Sequence, residues 1–478
     1  MRRFIGRALL TASLAMLPFM TPAFAQEAAP EQPVAAADEH DEAWVDGTHY
    51  FEEEARRLAE TETRESLAEF DLRTKGIVQY ADRKPLQVGD VLNFTIFNIA
   101  SKKNEQIAAV LKRIGKHCYI WVERGRTVSN AAIERTARTF DEKIYPTNRA
   151  YFGAEWNPGI DGDPRIYLLF LDVRDGYNPS AGRGGFVAGY FNAGDCYPRA
   201  KSAGSNEKEI IYLDINPGNP DKPNYLSVLA HEFQHMIHWY HDAKEFTWVN
   251  ESMSQLASYL NGFNHPSQVL AFMQGGDNNM LSWSSDNMLA NYGQVYLFSY
   301  YVMKTFAQTV KEQATVTRYV VESDQNGSRG YLAALKKINE NPQFKNIFRD
   351  FCVTNFLNDP NSAKGRYSYY PQLQKFLLRP MKHHNEPPFS GKGKVCSWSA
   401  RAVKMNFAPF EGKVRVKFQG QKQVGDRYTN EFDVAAVFLD SKRKTPPTVE
   451  WLPVKNFAVD CILNNLAGRH DTLMLVVV

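Results

Sequence analysis

The chain has 478 residues, of which 44% are hydrophobic, 23% charged and 13% aromatic. Such a composition supplies a sizeable core and makes disorder unfavourable over most of the chain, and the length favours two or three domains. The formal net charge is only +3, which gives no argument for nucleic-acid binding.

The first 25 residues have the pattern of a signal peptide. Arg2, Arg3 and Arg7 precede a short apolar run, and Ala23–Ala25 offer the small residues that a signal peptidase needs. The alternative is an uncleaved anchor, but the run is short for a membrane span. Because no later stretch is long and apolar enough to cross a membrane, we expect an exported periplasmic or secreted protein, not an integral membrane protein.

Residues 26–76 form an acidic segment. Its first 45 residues, 26–70, carry fourteen acids against three arginines, and their later part has helical composition with little apolar face. One interpretation is a solvated linker with a surface helix. The other is a propeptide that covers a cleft until it is removed, and the sequence leaves both open.

The pattern of a folded domain begins at about residue 77. Strands are predicted at "VLNFTIFNI", "CYIWVE", "RIYLLFLDV", "GFVAGYF" and "EIIYLDI". A helix is predicted at "SNAAIERTARTFDEKIYP", with Ser129 as its cap and Pro146 beyond its end. After the turn-forming "NPGNPDKPN" the chain is helical to about residue 380, and from about 390 it returns to short strands. We therefore predict an α+β fold, with a mixed-sheet half and a helical half in 77–385 and a small β-sandwich-like domain in 386–478.

The helix that follows the breaker carries H-E-x-x-H. His231 and His235 lie one turn apart on one face of a continuous amphipathic helix, so both imidazoles can reach one ion. Glu232 lies beside them, where it can hydrogen-bond a metal-bound water. This spacing predicts a catalytic zinc site, which needs one more protein ligand.

Two templates compete for the third ligand. His241 has the offset of H-E-x-x-H-x-x-G-x-x-H, but His238 stands where that template needs a glycine to break the helix. Glu251 opens "NESMSQLASYL", a helix that could pack back on the first and present the carboxylate. We favour Glu251 over His241, and both over Asp242 or Glu245; His238 is expected to be solvated or to lie behind the ligands.

The combination "HEFQH" and "WVNES" resembles the glutamate-zincin metallopeptidases. The stretches "GIDGDPRIYLLFLDV", "GFVAGYF", "EIIYLDINPG" and "NYGQVYLFSYYV" are similar to the hyicolysin family of zinc peptidases, and the likeness covers roughly residues 85–380. It implies a zincin-type domain that hydrolyses peptide bonds in protein or peptide substrates.

The same resemblance implies His231, His235 and Glu251 as zinc ligands and Glu232 as the catalytic acid and base. Tyr292 is a candidate donor to the oxyanion, with a core aromatic as the alternative. The chain departs from the family pattern at Gln255, where some members place an aspartate behind the ligands. The spacing between the second histidine and the glutamate is also shorter than in the best-known members.

Three further features are open. Asp161 and Asp163 lie in a glycine turn, which is more often turn chemistry than a calcium site. The strand Val187–Phe191 could line the cleft and pair with an extended substrate. Among the five cysteines, pairing is suggested by region alone for Cys118 with Cys196 and for Cys396 with Cys461.

Two rival functions remain, a zincin fold that binds through its C-terminal β module without cleaving, and a hydrolase of non-peptide amides.

Overall fold

The structure is a computed structural model, and it describes residues 44–61, 85–178, 185–222, 224–283, 287–385, 388–406, 413–424, 428–464 and 470–478. The predicted signal peptide, residues 1–25, lies outside the described residues. Of the acidic segment, only residues 44–61 are described.

A seven-stranded mixed sheet forms the first half of the fold. Its strands are β1 (Trp44–Asp46), β2 (Val91–Asn98), β3 (Lys103–Ile114), β4 (Cys118–Glu123), β5 (Ile166–Leu171), β6 (Phe186–Phe191) and β7 (Ile210–Asp214). They lie in the order β1-β6-β7-β5-β4-β3-β2. The pairs β1–β6, β7–β5 and β5–β4 are parallel, and the other three pairs are antiparallel. Neither β1 nor β3 was predicted from the sequence, because β1 has only three residues and β3 begins with four polar residues.

The central strands are buried on both faces, which explains their continuous apolar and aromatic sequences. In β5, Leu168 and Phe170 face the helical core, while Tyr167 and Leu169 face a second core on the opposite side of the sheet. The sheet is therefore a rigid layer between two apolar clusters.

Ten α-helices follow or cover this sheet within the described residues. They are α1 (Glu52–Thr61), α2 (Asn130–Thr139), α3 (Tyr145–Phe152), α4 (Leu226–Asp242), α5 (Thr247–Leu260), α6 (Gln268–Gly275), α7 (Met288–Phe306), α8 (Val310–Glu322), α9 (Ser328–Lys336) and α10 (Phe344–Leu357).

The α2 region corrects one expectation. Ser129 caps α2 as predicted, since its hydroxyl accepts a hydrogen bond from the amide of Ala132. Pro146 does not end the helical stretch, however. A π-helical stretch, Phe140–Ile144, links α2 to α3, and Pro146 lies in the first turn of α3.

The H-E-x-x-H helix is α4, and it is buried over thirteen consecutive residues, from Leu226 to His238. It packs against β6 and β7 on one side and against α3, α5 and α8 on others. Its apolar face, which includes Leu229, Phe233 and Ile237, belongs to the helical core. This packing fixes the direction in which its polar face points.

Strands return after α10. A five-stranded sheet has the order β14-β13-β16-β9-β8, and two further pairs are β10–β15 and β11–β12. Their bounds are β8 (Lys382–His384), β9 (Arg401–Asn406), β10 (Val414–Gln419), β11 (Gln423–Val424), β12 (Tyr428–Thr429), β13 (Val434–Leu439), β14 (Thr448–Leu452), β15 (Ala458–Leu463) and β16 (Thr472–Val477).

The two larger C-terminal sheets share a core. Val416 and Val459 of the β10–β15 pair join Val434 and Phe438 of β13 in one apolar cluster, as in a β-sandwich. The opposite face of the five-stranded sheet, including Val437, belongs to the helical core. The α+β prediction, with a mixed-sheet half, a helical half and a C-terminal β region, is confirmed. Among the described helices, none combines the length and apolar character needed to span a bilayer.

The suggested disulfides are wrong, since all five cysteines, each of which is described, are free. Cys118 begins β4 and Cys196 follows β6, and two strands separate β4 from β6 in the sheet. The strands β4 and β6 are thus three strand spacings, or about 14 Å, apart, a separation that a disulfide does not span. Cys396 lies beside Asp277 of the helical half, whereas Cys461 is on β15.

The close contact between α6 and α7 can be tested by its effect on the free energy of unfolding. A Cβ on Gly293 of α7 would lie 2.2 Å from the carbonyl oxygen of Gln268 on α6. Because both groups are held by helices, Gly293→Ala should lower the free energy of unfolding by about 3 kcal/mol, the upper end of overpacking costs. Gly275→Ala, where the nearest atom is 3.3 Å away on the side chain of Asn287, is the matched control and should be tolerated. Chemical denaturation of both variants measures the difference, and equal stabilities would contradict this packing.

Candidate metal centre

The two histidines of the motif converge as the helical spacing predicts. The Nε2 atoms of His231 and His235 lie 3.0 Å apart, and both side chains are at most 1% exposed. The two residues are one helical turn apart along the backbone, and their side-chain rotamers bring the two nitrogens together.

Glu251 reaches the same point from α5. Its Oε2 lies 3.5 Å from Nε2 of His231 and 3.6 Å from Nε2 of His235. Ligands about 2.0–2.1 Å from a tetrahedral zinc ion are about 3.3–3.4 Å from one another. The three ligand atoms are therefore spaced as the ligands of one zinc ion would be.

The helices α4 and α5 are antiparallel, and hydrogen bonds between them fix this arrangement. The hydroxyl of Ser258 donates to the carbonyl of Ser227 at one end, and that of Ser254 donates to the amide oxygen of Gln234 further along. Residues 243–246 make the reversal. The register of this helix pair is what aligns Glu251 with the two histidines.

A fourth group completes the cluster, and sequence reasoning missed it. Asp46, at the end of β1, places Oδ2 3.7 Å from Nε2 of His235. Ligand atoms of Asp46, His231, His235 and Glu251 all lie within 4.8 Å of one another, and all four residues are buried. Asp46 stands in an acidic segment without a metal-binding spacing, so its sequence held no signal for this role.

Glu232 lies against the same cluster but is bonded differently. Its Oε2 accepts a hydrogen bond of 3.0 Å from the hydroxyl of Thr48, while among the described residues Oε1 has no hydrogen-bond partner. The side chain is completely buried. Burial first, and the nearby Asp46 next, raise the pKa of Glu232 well above its usual value.

The electrostatics of the site call for a cation. Asp46, Glu232 and Glu251 bury three carboxyl groups, and neither oxygen of Glu251 has a hydrogen-bond donor in the described part of the chain. Burial and then Asp46 raise the pKa of Glu251 to about 8, which reflects the cost of holding these charges without compensation. Two imidazoles and two carboxylates suit zinc, and a divalent ion would neutralise both ligand carboxylates. The residues present therefore fit a zinc ion.

Burial also prepares His231 as a neutral ligand. It lowers the pKa of His231 to about 3, with His235 contributing further, so the ring is unprotonated at neutral pH. Burial lowers the pKa of His235 too, but Glu251 and Asp46 outweigh it and raise the value to about 9. A metal ion competes with that proton, because a histidine must be neutral to bind one.

Asn250 orients one of the histidines. Its Oδ1 lies 3.1 Å from Nδ1 of His235, which leaves Nε2 of that ring free to face the cluster. Gln255, which stands where some similar peptidases have an aspartate, is buried but makes no hydrogen bond to any described residue. Asn250 directly precedes Glu251 in the W-V-N-E stretch, and this position was the sequence signal that could have identified its role.

The alternative ligands lie outside the cluster. His241 faces Gly153, where an added Cβ would meet its Nε2 at 2.8 Å. Glu245 accepts hydrogen bonds from the amides of Phe246 and Gly327, and Asp242 accepts one from the amide of Lys244. The metal-binding group contains none of these three.

His238 is not solvated, contrary to one expectation, because only 1% of it is exposed. It lies one turn beyond His235 on a helix that continues through Asp242, as the periodicity predicts. Burial lowers the pKa of His238 to about 3. It is therefore a buried, neutral residue that does not belong to the metal-binding cluster.

Tyr292 lies on α7 and is buried, in edge-to-face contact with Trp283. Within the described chain its hydroxyl has no hydrogen-bond partner. Burial, followed by the charges of Glu251, Asp46 and Glu232, raises the pKa of Tyr292 well above its usual value. The hydroxyl is therefore a neutral donor within the electrostatic influence of the cluster. The side chain of Tyr292 also packs in the second core.

The turn at Asp161 and Asp163 is held by protein groups. Asp161 lies 3.6 Å from the ammonium group of Lys208, and Asp163 accepts a hydrogen bond from Tyr119. These contacts favour turn chemistry over a calcium site.

Comparison with known proteins supports a metallopeptidase in general terms. The chain is similar to the neutral metalloprotease ShpI of Staphylococcus hyicus, with 26% identity over 240 residues that cover 45% of this chain and 52% of that protein. The chain thus matches about half the length of this curated relative. No protein-family model matches the chain.

Among solved structures, a two-domain M1 zinc metallopeptidase bound to L-tryptophan aligns with a TM-score of 0.30 and 10% identity over 55% of this chain and 51% of that one. A similarity this low does not bear on the fold. The sequence match agrees with the broad expectation of a metallopeptidase, while the narrower likeness to the hyicolysin family stays a prediction.

The choice of third ligand is open to a direct test. Glu251→Ala removes a carboxylate from the cluster, so dialysed protein should retain little zinc. His241→Ala changes a side chain outside the cluster and should keep about one zinc ion per chain. Metal analysis by mass spectrometry, with circular dichroism to verify folding, measures both. Zinc loss from the histidine variant alone would select the other template.

Asn250 should matter for zinc affinity although it is not a ligand. Asn250→Ala frees the ring of His235 to rotate, so zinc affinity should fall by about 10- to 100-fold. Gln255→Ala, one turn beyond Glu251 on α5, should leave the affinity unchanged because its side chain makes no hydrogen bond to the ligands in the described residues. Competition with a chromophoric chelator gives both constants. A larger effect at Gln255 than at Asn250 would reverse this assignment.

Proposed function

We propose that this protein is a zinc-dependent metallopeptidase of the hyicolysin-like, glutamate-zincin type. The observation that carries the proposal is the convergence of His231, His235 and Glu251 at ligand spacing, with Glu232 beside them. The sequence similarity to a neutral metalloprotease supports the same reaction class.

His231, His235 and Glu251 would hold the zinc ion, with Asn250 fixing the tautomer and orientation of His235. Zinc in such a site acts as a Lewis acid and lowers the pKa of a bound water to about 7. The remaining work falls to side chains of the protein.

Glu232 is the proposed acid and base. It follows His231 directly on α4, so it lies at the cluster without being one of its ligands. Its buried position keeps bulk water from competing for its proton, and a raised pKa suits a group that accepts a proton from water and then donates it to the leaving amine.

Tyr292 is the proposed oxyanion donor. Its neutral hydroxyl lacks a hydrogen-bond partner among the described residues, so it is available to a substrate carbonyl. Substrate backbone would pair with β6 at the edge that β1 covers in this structure. These features suit an extended protein or peptide substrate.

The signal-peptide pattern of residues 1–25 supports export to the periplasm or the exterior. A protein that bound targets through its C-terminal β region without cleaving them would not need Glu232. We therefore place hydrolysis of peptide bonds ahead of pure binding.

Substitution of Glu232 separates catalysis from metal binding. Glu232→Gln should retain zinc, because the residue is not a ligand, but should cleave unfolded protein substrates about 100- to 10,000-fold more slowly. Zinc content and cleavage rate are measured on the same preparations, lacking residues 1–25. Glu54→Gln, an exposed acid paired with Arg57, is the control and should match the wild type. Equal cleavage by both variants would refute the assigned role of Glu232.

A further inference from the structure

We propose that Asp46 is a fourth protein ligand of the zinc ion and that the N-terminal segment, residues 44–61, thereby holds the enzyme in a latent form. The inference rests on the proposed function and adds its regulation. Residues 44–61 would then occupy the cleft, and Asp46 would be a metal ligand outside the H-E-x-x-H and Asn-Glu stretches.

Strand β1 covers one edge of the sheet strand β6. It pairs in parallel with β6, the strand whose edge was expected to receive substrate, and Trp44, Val45 and Asp46 are aligned with residues between Phe186 and Gly189. The amide of Gly47 extends this contact by donating to the carbonyl of Gly189. A substrate strand cannot use the same edge while β1 is there.

Asp46 would fill the coordination position that a catalytic zinc site leaves open. A catalytic zinc site keeps one position for water, with three positions taken by protein. Here Asp46 supplies a carboxylate oxygen 3.7 Å from Nε2 of His235, within the cluster formed with His231 and Glu251. A carboxylate in that position displaces water, and a peptidase cannot hydrolyse a side-chain carboxylate.

Glu232 is also held by the N-terminal segment. Its Oε2 is engaged by the hydroxyl of Thr48, which also accepts a hydrogen bond from the amide of Phe191. The proposed acid and base is therefore bonded to the N-terminal segment while the neighbouring Asp46 occupies the metal cluster. Both components of the reaction are blocked by residues two positions apart.

The chain packs so closely against β6 at Gly47 that a side chain there would clash. A Cβ on Gly47 would lie 2.8 Å from Cγ1 of Val187 and 3.2 Å from Cβ of Tyr190. Glycine lets the chain pass tightly against β6 between the two blocking residues. The stretch Asp46-Gly47-Thr48 is thus shaped to the cleft.

Helix α1 anchors the segment on the far side of the cleft. The guanidinium of Arg56 donates to the carbonyl of Glu245 and the hydroxyl of Thr247, and that hydroxyl donates to Glu52. Leu58 is 1% exposed and packs with Tyr197. These contacts stabilise the segment at the start of α5, independently of the metal.

The test compares the full chain after the signal peptide with Asp46→Ala, using zinc release to excess chelator and cleavage of an unfolded protein. Intact mass verifies that residues 44–61 remain attached. Loss of one ligand should speed zinc release by about 10-fold or more. Opening of the cleft should speed cleavage by a similar factor. Glu54→Ala, an exposed acid of the same segment, is the matched control and should behave as the wild type.

The outcomes separate this inference from the proposed function. Equal zinc release and equal cleavage by wild type and Asp46→Ala would overturn the inference while leaving a peptidase. Faster zinc release without cleavage by either protein would support the fourth ligand but refute the peptidase. If Asp46→Ala does not fold, Asp46→Asn keeps an acceptor for the amide of Thr48, and Thr48→Val tests the bond to Glu232. If Asp46→Asn and Thr48→Val both cleave at the wild-type rate, the proposed latency is overturned.

Discussion

The structure depends on the convergence of buried carboxylates and imidazoles at the meeting point of α4, α5 and β1. Burying Glu251 and Asp46 without a counter-charge costs several kcal/mol per ion. A shared divalent ion offsets that cost, because it attracts both carboxylates and both Nε2 atoms at once. The antiparallel register of α4 and α5 and the packing of α4 on the sheet hold these groups in place before any ion binds. Metal binding should therefore stabilise this whole junction.

Two independent parts of the chain act on the site. The helical half supplies His231, His235 and Glu251, and Asn250 orients the ring of His235. The N-terminal segment supplies Asp46 and Thr48, which reach the same atoms from the sheet edge. Because the second set also covers the strand edge, binding of the segment and binding of substrate are mutually exclusive in this arrangement.

Much of this could be predicted from sequence, for reasons tied to local periodicity. The i and i+4 spacing predicts the convergence of His231 and His235, and the missing glycine at His238 predicts a helix that continues past it. Asp46 could not be predicted, since a three-residue strand in an acidic segment has no periodicity and its partner β6 lies about 140 residues away. The disulfide suggestions failed likewise, because regional proximity in sequence says nothing about strand order.

Anomalous diffraction at the zinc edge, from crystals of the intact chain, would locate the metal ion and identify its ligands. We expect one zinc ion about 2.0–2.2 Å from Nε2 of His231, Nε2 of His235 and carboxylate oxygens of Glu251 and Asp46. A zinc ion bound by His241 in place of Glu251, or a solvent ligand with Asp46 turned away, would contradict this expectation.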